Sequence, residues 1–153
     1  MEKRLVPVLH NVSSVQRVVD AARIAYSLGY ETLVITKPYG GAAQSGVPEA
    51  MRIALRQGKR LVVLPDLGDA VELLRPDDVI LVTRDYAEES LDPLSPPPLK
   101  GLTLLVVSGG EPEFSAQEAR LGRRVYLEGA PGKIGATGEL SIILYSYRRV
   151  GLG

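Results

Sequence analysis

Residues 60–83 read RLVVLPDLGDAVELLRPDDVILVT, and the order of apolar runs within them decides the fold class. Arg60 to Leu64 and Val79 to Thr83 are short β-branched runs bounded by Gly, Pro and Asp, the pattern of buried strands. Between them, Leu67 to Leu74 spaces its apolar residues as a short helix does. A strand that returns through a helix pairs in parallel with the strand it left, so this stretch predicts a βαβ unit.

The same alternation extends in both directions. Towards the N-terminus, Arg4 to Leu9 reads as a strand, and Ser13 or Ser14 caps a helix with Val15, Val18, Val19, Ala22 and Ala25 on one face. Gly29 stops that helix, Thr32 to Thr36 forms a second strand, and a glycine-rich loop from Tyr39 to Gly46 precedes a helix over Pro48 to Gln57. Towards the C-terminus, Asp92 to Leu99 is proline-rich and reads as a stiff surface connection, because proline supplies no ladder donor. Leu104 to Val107 and Arg124 to Leu127 are the last two strands, and Glu139 to Arg149 the last helix. The expected architecture is α/β, a mostly parallel sheet flanked by helices, in one domain over residues 1–153.

Composition narrows the chemistry. With no cysteine and the single histidine His10, neither a disulfide framework nor a thiolate or histidine-rich metal site can be built, and no metal is expected. One histidine without a serine elbow also argues against a hydrolytic triad. No apolar run is long enough for a signal peptide or membrane span, so a cytoplasmic protein is expected. Net charge is zero, but Asp66 to Asp92 holds nine acidic residues against two arginines, whereas Arg120 to Arg149 holds six basic residues against two glutamates. Such asymmetry marks either solvated surface or a basic face for phosphates.

Loops past the carboxyl ends of parallel strands are where such sheets bind ligands. Two of them, Ser108 to Phe114 and Glu128 to Gly138, are rich in glycine, yet neither is a Walker A or a dinucleotide motif. The last helix carries Leu140, Ile142, Ile143, Leu144, Tyr145 and Tyr147, more apolar surface than one sheet face covers, which predicts either deep burial or a subunit interface, with a homodimer through this helix favoured.

Three segments, in order, resemble the motifs of the SPOUT superfamily of S-adenosylmethionine-dependent RNA methyltransferases, its SpoU-like branch in particular. They are Val8-Leu-His-Asn-Val12 with Arg23-Ile-Ala-Tyr-Ser-Leu-Gly29, Val106-Val-Ser-Gly-Gly-Glu111, and Val125-Tyr-Leu-Glu-Gly129 with Gly135-Ala-Thr-Gly-Glu-Leu-Ser141. The sequence departs from the family's pattern at Arg17, where an asparagine is usual, and at Gly135-Ala-Thr137, where Ser-Leu-Asn is common. The resemblance spans nearly the whole chain and implies a C-terminal trefoil knot. It further implies S-adenosylmethionine as cofactor, held by the loops after Val82, Val107 and Leu127, with Thr83, Ser108, Gly109, Gly110, Glu111, Leu127, Gly129, Gly135, Thr137 and Leu140 as contacts.

Asn11, Arg17 and Tyr39 are then the expected substrate contacts and Arg23 the catalytic residue, stabilising an alkoxide or clamping phosphate. An arginine side chain is ordinarily protonated already and has no acceptor, so it is not the literal proton acceptor. The implied activity is methylation of a ribose 2′-hydroxyl of tRNA or rRNA by a dimer. A module of the same fold that binds RNA or cofactor without catalysis is the alternative, and an unrelated nucleotide-binding α/β protein a third.

Overall fold

A computed structural model describes residues 3–151; residues 1, 2, 152 and 153 of the expected domain lie outside the described residues. The elements follow the order β1 (Arg4–Val12), α1 (Val15–Ser27), β2 (Thr32–Pro38), α2 (Val47–Gln57), β3 (Arg60–Leu64), α3 (Leu67–Leu74), β4 (Asp78–Val82), β5 (Glu89–Leu91), β6 (Leu102–Ser108), α4 (Ala116–Ala119), β7 (Arg123–Leu127) and α5 (Ala136–Arg149). All seven strands are parallel, in the order β3-β2-β1-β6-β4-β7-β5. The expected α/β class, a parallel sheet flanked by helices, is what the chain forms.

Both faces of the sheet are covered, so its central strands are apolar at nearly every position. Successive side chains alternate between faces. Leu9, Leu105, Val107, Ile80 and Val82 join α1, α2 and α5 in one core, while Val8, Leu104, Val106 and Leu81 join α3, Phe114 and Leu121 in the other. Helix α1 begins where the Ser14 hydroxyl accepts from the Arg17 backbone N–H at 3.2 Å. It ends before Gly29, whose φ of +89° suits glycine.

Three sequence expectations are corrected here. A seventh strand, β5, lies at the sheet edge, where its exposed Glu89 and Ser90 hide it from an apolar pattern and only Leu91 is buried. The Tyr39–Gly46 loop includes a π-turn over Ala42–Gly46 that runs directly into α2, because Ala42 and Gly46 pack under α1. Helix α5 starts at Ala136 rather than Glu139, with Gly138 inside its first turn.

The proline-rich connection is tied down on α5. The Tyr147 hydroxyl donates to the Pro97 carbonyl at 2.7 Å, Ser146 donates to the Pro93 carbonyl, and Leu99 is buried. Leu140, Ile143, Leu144 and Tyr147 face the core, which leaves Ile142 and Tyr145 exposed. Among the described residues no helix is long and apolar enough to cross a membrane.

Candidate functional site

The strand order dictates where a site can form. From β1 the chain winds to one side through β2 and β3, then crosses to β4 on the other, so the loops after β1 and after β6 diverge from neighbouring strands. A crevice opens at such a switch point. In this molecule it measures about 470 Å³ and is lined by Arg17, Ser108–Glu111 and Lys133–Ala136.

Each wall has a local cause. Asn11, next to last in β1, adopts a φ of 55°, a conformation asparagine tolerates better than most residues. Its side chain lies against Gly110, where an added Cβ would fall 1.9 Å from the amide nitrogen, so only glycine fits without a shift there. Arg17, in the first turn of α1, donates to the Gly109 carbonyl at 3.1 Å and so joins the first loop to the second. The Ser108 hydroxyl donates to the Glu113 carbonyl at 2.6 Å and accepts from the Gly110 N–H at 3.2 Å, folding the 108–113 segment into a tight turn. Lys133 bonds Glu111 at 2.6 Å and lies 3.9 Å from Glu113.

Two carboxylates within electrostatic reach of Lys133 are buried. Glu113 is 3% exposed and accepts from the Thr83 hydroxyl at 2.8 Å. Glu139 is 4% exposed, and its Oε1 has no hydrogen-bond partner. Desolvation and then the neighbouring Glu113 charge push the Glu139 carboxyl up to about 7, against the pull of Lys133 and Arg84. A buried acceptor left without a donor is uncommon and calls for a reason. The Lys133 ammonium is held above its usual range by its bond to Glu111, against its own desolvation.

A second buried titratable group sits at the carboxyl end of β1. His10 is fully buried, with Nδ1 2.8 Å from the Thr36 hydroxyl and Nε2 3.0 Å from Glu118, and its ring stacks on Phe114. Burial lowers its pKa despite the nearby Glu118 carboxylate. Both nitrogens are engaged.

Of the residues expected at the site, the crevice brings together Arg17, Ser108, Gly109, Gly110, Glu111 and Gly135, with Asn11 against Gly110 and Thr83 against Glu113. Leu127 and Leu140 are core residues, Gly129 adopts a φ of +93° in the loop that follows β7, and Thr137 lies in the first turn of α5. Arg23 stands exposed on α1, apart from the crevice lining, and Tyr39 is half exposed beyond β2. Lys133, Glu113 and Glu139 went unpicked. A lysine among glycines was the one signal for them, since the burial of a glutamate cannot be read from its neighbours in sequence.

A likeness to solved structures defines the class of fold. The chain superposes over its whole length on an AdoMet-bound rRNA methyltransferase from Sinorhizobium meliloti with a TM-score of 0.76 and 14% identity, covering 59% of that chain. It matches the SpoU methyltransferase AviRb from Streptomyces viridochromogenes, solved with AdoMet, at a TM-score of 0.72 and 17% identity, over 98% of this chain and 61% of that one. A probable methyltransferase from Bordetella pertussis matches at 0.71 and 16%, over 96% of this chain and 93% of that one. At such identities the likeness shows the SpoU-type fold alone.

The family is a different one. The chain belongs to the RecB-family nuclease family DUF2122, whose family model matches residues 40–146. A protein of Aeropyrum pernix named as a candidate type II restriction enzyme is 58% identical over 151 residues, 99% of this chain and 97% of its own. A Methanocaldococcus jannaschii protein with the same kind of name is 35% identical over 138 residues, 90% of this chain and 91% of its own. These findings overturn the expected methylation of tRNA or rRNA, together with its non-catalytic alternative. The fold expectation was sound, and the activity inferred from that fold was not.

Proposed function

We propose that this protein binds nucleic acid at the switch-point crevice and cleaves its phosphodiester backbone. The observation that carries the reading is that two cationic side chains, Arg17 and Lys133, line one crevice together with the 108–111 turn. Glu111, the partner of Lys133, is 75% exposed, and an ion pair so solvated is worth only about 0–1 kcal/mol, so a phosphate can displace it. Arginine and lysine then hold the phosphate oxygens and stabilise the charge that gathers on them as water attacks. The water's proton passes to solvent, and the departing sugar oxygen is protonated as its bond to phosphorus breaks. The nuclease name of the family and of both relatives supports this assignment.

Many nucleases use paired divalent ions held by converging carboxylates. Among the described residues, no three His, Cys, Asp or Glu side chains are placed to hold an ion, so the donor set does not fit one and no step here runs through a metal.

The test is incubation with end-labelled single-stranded and duplex DNA and RNA, with magnesium and with chelator. Shortened products from at least one substrate, lost on Lys133→Ala, are expected. Intact substrate in all four cases overturns the reading.

We infer S-adenosylmethionine as a ligand of the same crevice. Arg17, Lys133 and Glu111 line the crevice, and a zwitterion bearing both an ammonium and a carboxylate complements those charges. Two of the structural neighbours were solved with AdoMet bound. Calorimetric titration with S-adenosylmethionine and S-adenosylhomocysteine, with ATP as control, is expected to saturate with the first two only. No heat at millimolar ligand removes the cofactor.

The chain is further proposed to dimerise through the outer face of α5, where Ile142, Tyr145 and Val150 stand exposed beside Leu94, itself 92% exposed. Sedimentation of Tyr145→Glu is expected to show a monomer where the unmodified chain shows a dimer.

A further inference from the structure

On the other side of the 108–115 loop lies a larger cleft, about 630 Å³, that the crevice does not use. Its floor and walls are apolar and aromatic, with Tyr86, Pro112 and Phe114 prominent, and its rim carries Arg120 and Arg124. One loop thus serves both places: Glu111 lines the crevice, while Pro112 and Phe114 line the cleft.

Three features set the cleft apart from ordinary surface. Tyr86 is 84% exposed and adopts a φ of 59°, a backbone conformation that costs energy for a bulky residue and concentrates at functional positions. Phe114 is held in place by parallel stacking on the buried His10 ring, with centroids 5.7 Å apart and planes 6° from parallel. Arg124 gives one terminal nitrogen to Glu88, yet its Nε is buried without an acceptor. Arg120 is exposed, and no ion pair is recorded for it among the described residues.

We propose that this cleft is a subsite for single-stranded nucleic acid, in which an unpaired base stacks on Tyr86 and Phe114 and the adjoining phosphate is taken by the exposed Arg120. Aromatic platforms beside arginines are how unpaired strands are held, because every base has a face to stack and every linkage a charge to neutralise. A duplex buries those faces in its own stack and offers the cleft only phosphates. The volume suits a nucleotide-sized group. The proposal rests on nucleic acid being the substrate of the crevice, and it adds that the strand arrives unpaired. The shared loop carries it from the cleft to Lys133.

The test is fluorescence anisotropy with labelled oligothymidylate and oligouridylate and with a duplex of equal length, at two salt concentrations. The unmodified chain is expected to bind the single strands at least about tenfold more tightly than the duplex. Loss of one stacked base corresponds to roughly 5- to 150-fold in affinity, so Tyr86→Ala should weaken single-strand binding within that range while Tyr86→Phe restores it. Arg120→Glu should weaken binding and flatten its salt dependence. Melting curves check that these exposed substitutions leave the fold intact.

Tyr86→Ala and Arg120→Glu both binding like the unmodified chain, or equal affinity for duplex and single strand, overturns the cleft while leaving cleavage at the crevice standing. Single-strand binding that depends on Tyr86, with no cleavage of any substrate, retains the cleft and removes the nuclease reading. No binding of any nucleic acid removes both.

Discussion

His10 and Glu139 are both buried and both titratable, and both lie near the carboxyl ends of the parallel strands, yet their surroundings differ in one respect. His10 has each ring nitrogen within hydrogen-bond reach of a partner and a stacked ring above it, whereas Glu139 keeps an oxygen with nothing to accept from. A polar group that folding has fully satisfied holds the structure together, while one left unsatisfied costs stability and persists where a ligand or reaction uses it. The comparison places His10, Thr36 and Glu118 in the architecture and leaves Glu139 as a buried carboxylate that folding does not satisfy.

Removing His10 is expected to have the largest effect on stability. His10→Ala leaves a cavity beside Phe114 and strands the Thr36 hydroxyl and the Glu118 carboxylate, a loss of about 3 kcal/mol in urea denaturation. A loss under 1 kcal/mol would break the architectural assignment. Because burial holds the folded pKa of His10 below its ordinary 6.5, the unfolded chain takes up the proton first, and stability falls as pH drops below 6.5.

Glu139→Gln is expected to act in the opposite direction. The carboxyl titrates at about 7 when folded against 4.5 in the reference state, so ionisation favours the unfolded chain as pH rises between these values. At pH 8 the substitution should stabilise by roughly 2–3 kcal/mol, and at pH 4, where both states are neutral, by almost nothing. Thermal melts at the two pH values read the difference. Equal shifts at both would mean that Glu139 is not strained by its charge.

The smallest effect belongs to Glu118→Gln. Desolvation raises the Glu118 carboxyl, but the Ser115 N–H and then the charges of His10 and Lys37 outweigh it and leave the pKa lowered. The charged form therefore contributes stability above the unfolded value, lost as pH falls through the folded one. Glutamine keeps a hydrogen bond to His10, so the loss should be about 1 kcal/mol at pH 7 and disappear near pH 3, as read by chemical denaturation.

The sheet was legible in the sequence wherever a strand was buried on both faces, because apolar runs such as Val79–Thr83 have no other use at that length. The edge strand Glu89–Leu91 was not, since its neighbours there are water and charge. The crevice was half legible. Gly109, Gly110 and Gly135 mark loops that approach each other closely, and Arg17 stands at the start of a capped helix. Glu113 and Glu139 are buried by residues distant in sequence, which no local pattern records. Activity was the least legible, because one fold hosts many chemistries and the resemblance in motifs reported the fold.

The most direct test sets the two regions against each other in one assay, comparing nucleic-acid cleavage by the unmodified chain, Lys133→Ala and Glu118→Gln under single-turnover conditions. Lys133→Ala is predicted to lose roughly 100- to 1,000-fold in rate, the scale of removing one preorganised donor, while Glu118→Gln stays within about twofold of the unmodified chain. Full cleavage by Lys133→Ala, or collapse of cleavage in Glu118→Gln with its fold intact, would move the reaction away from the crevice and contradict the assignment.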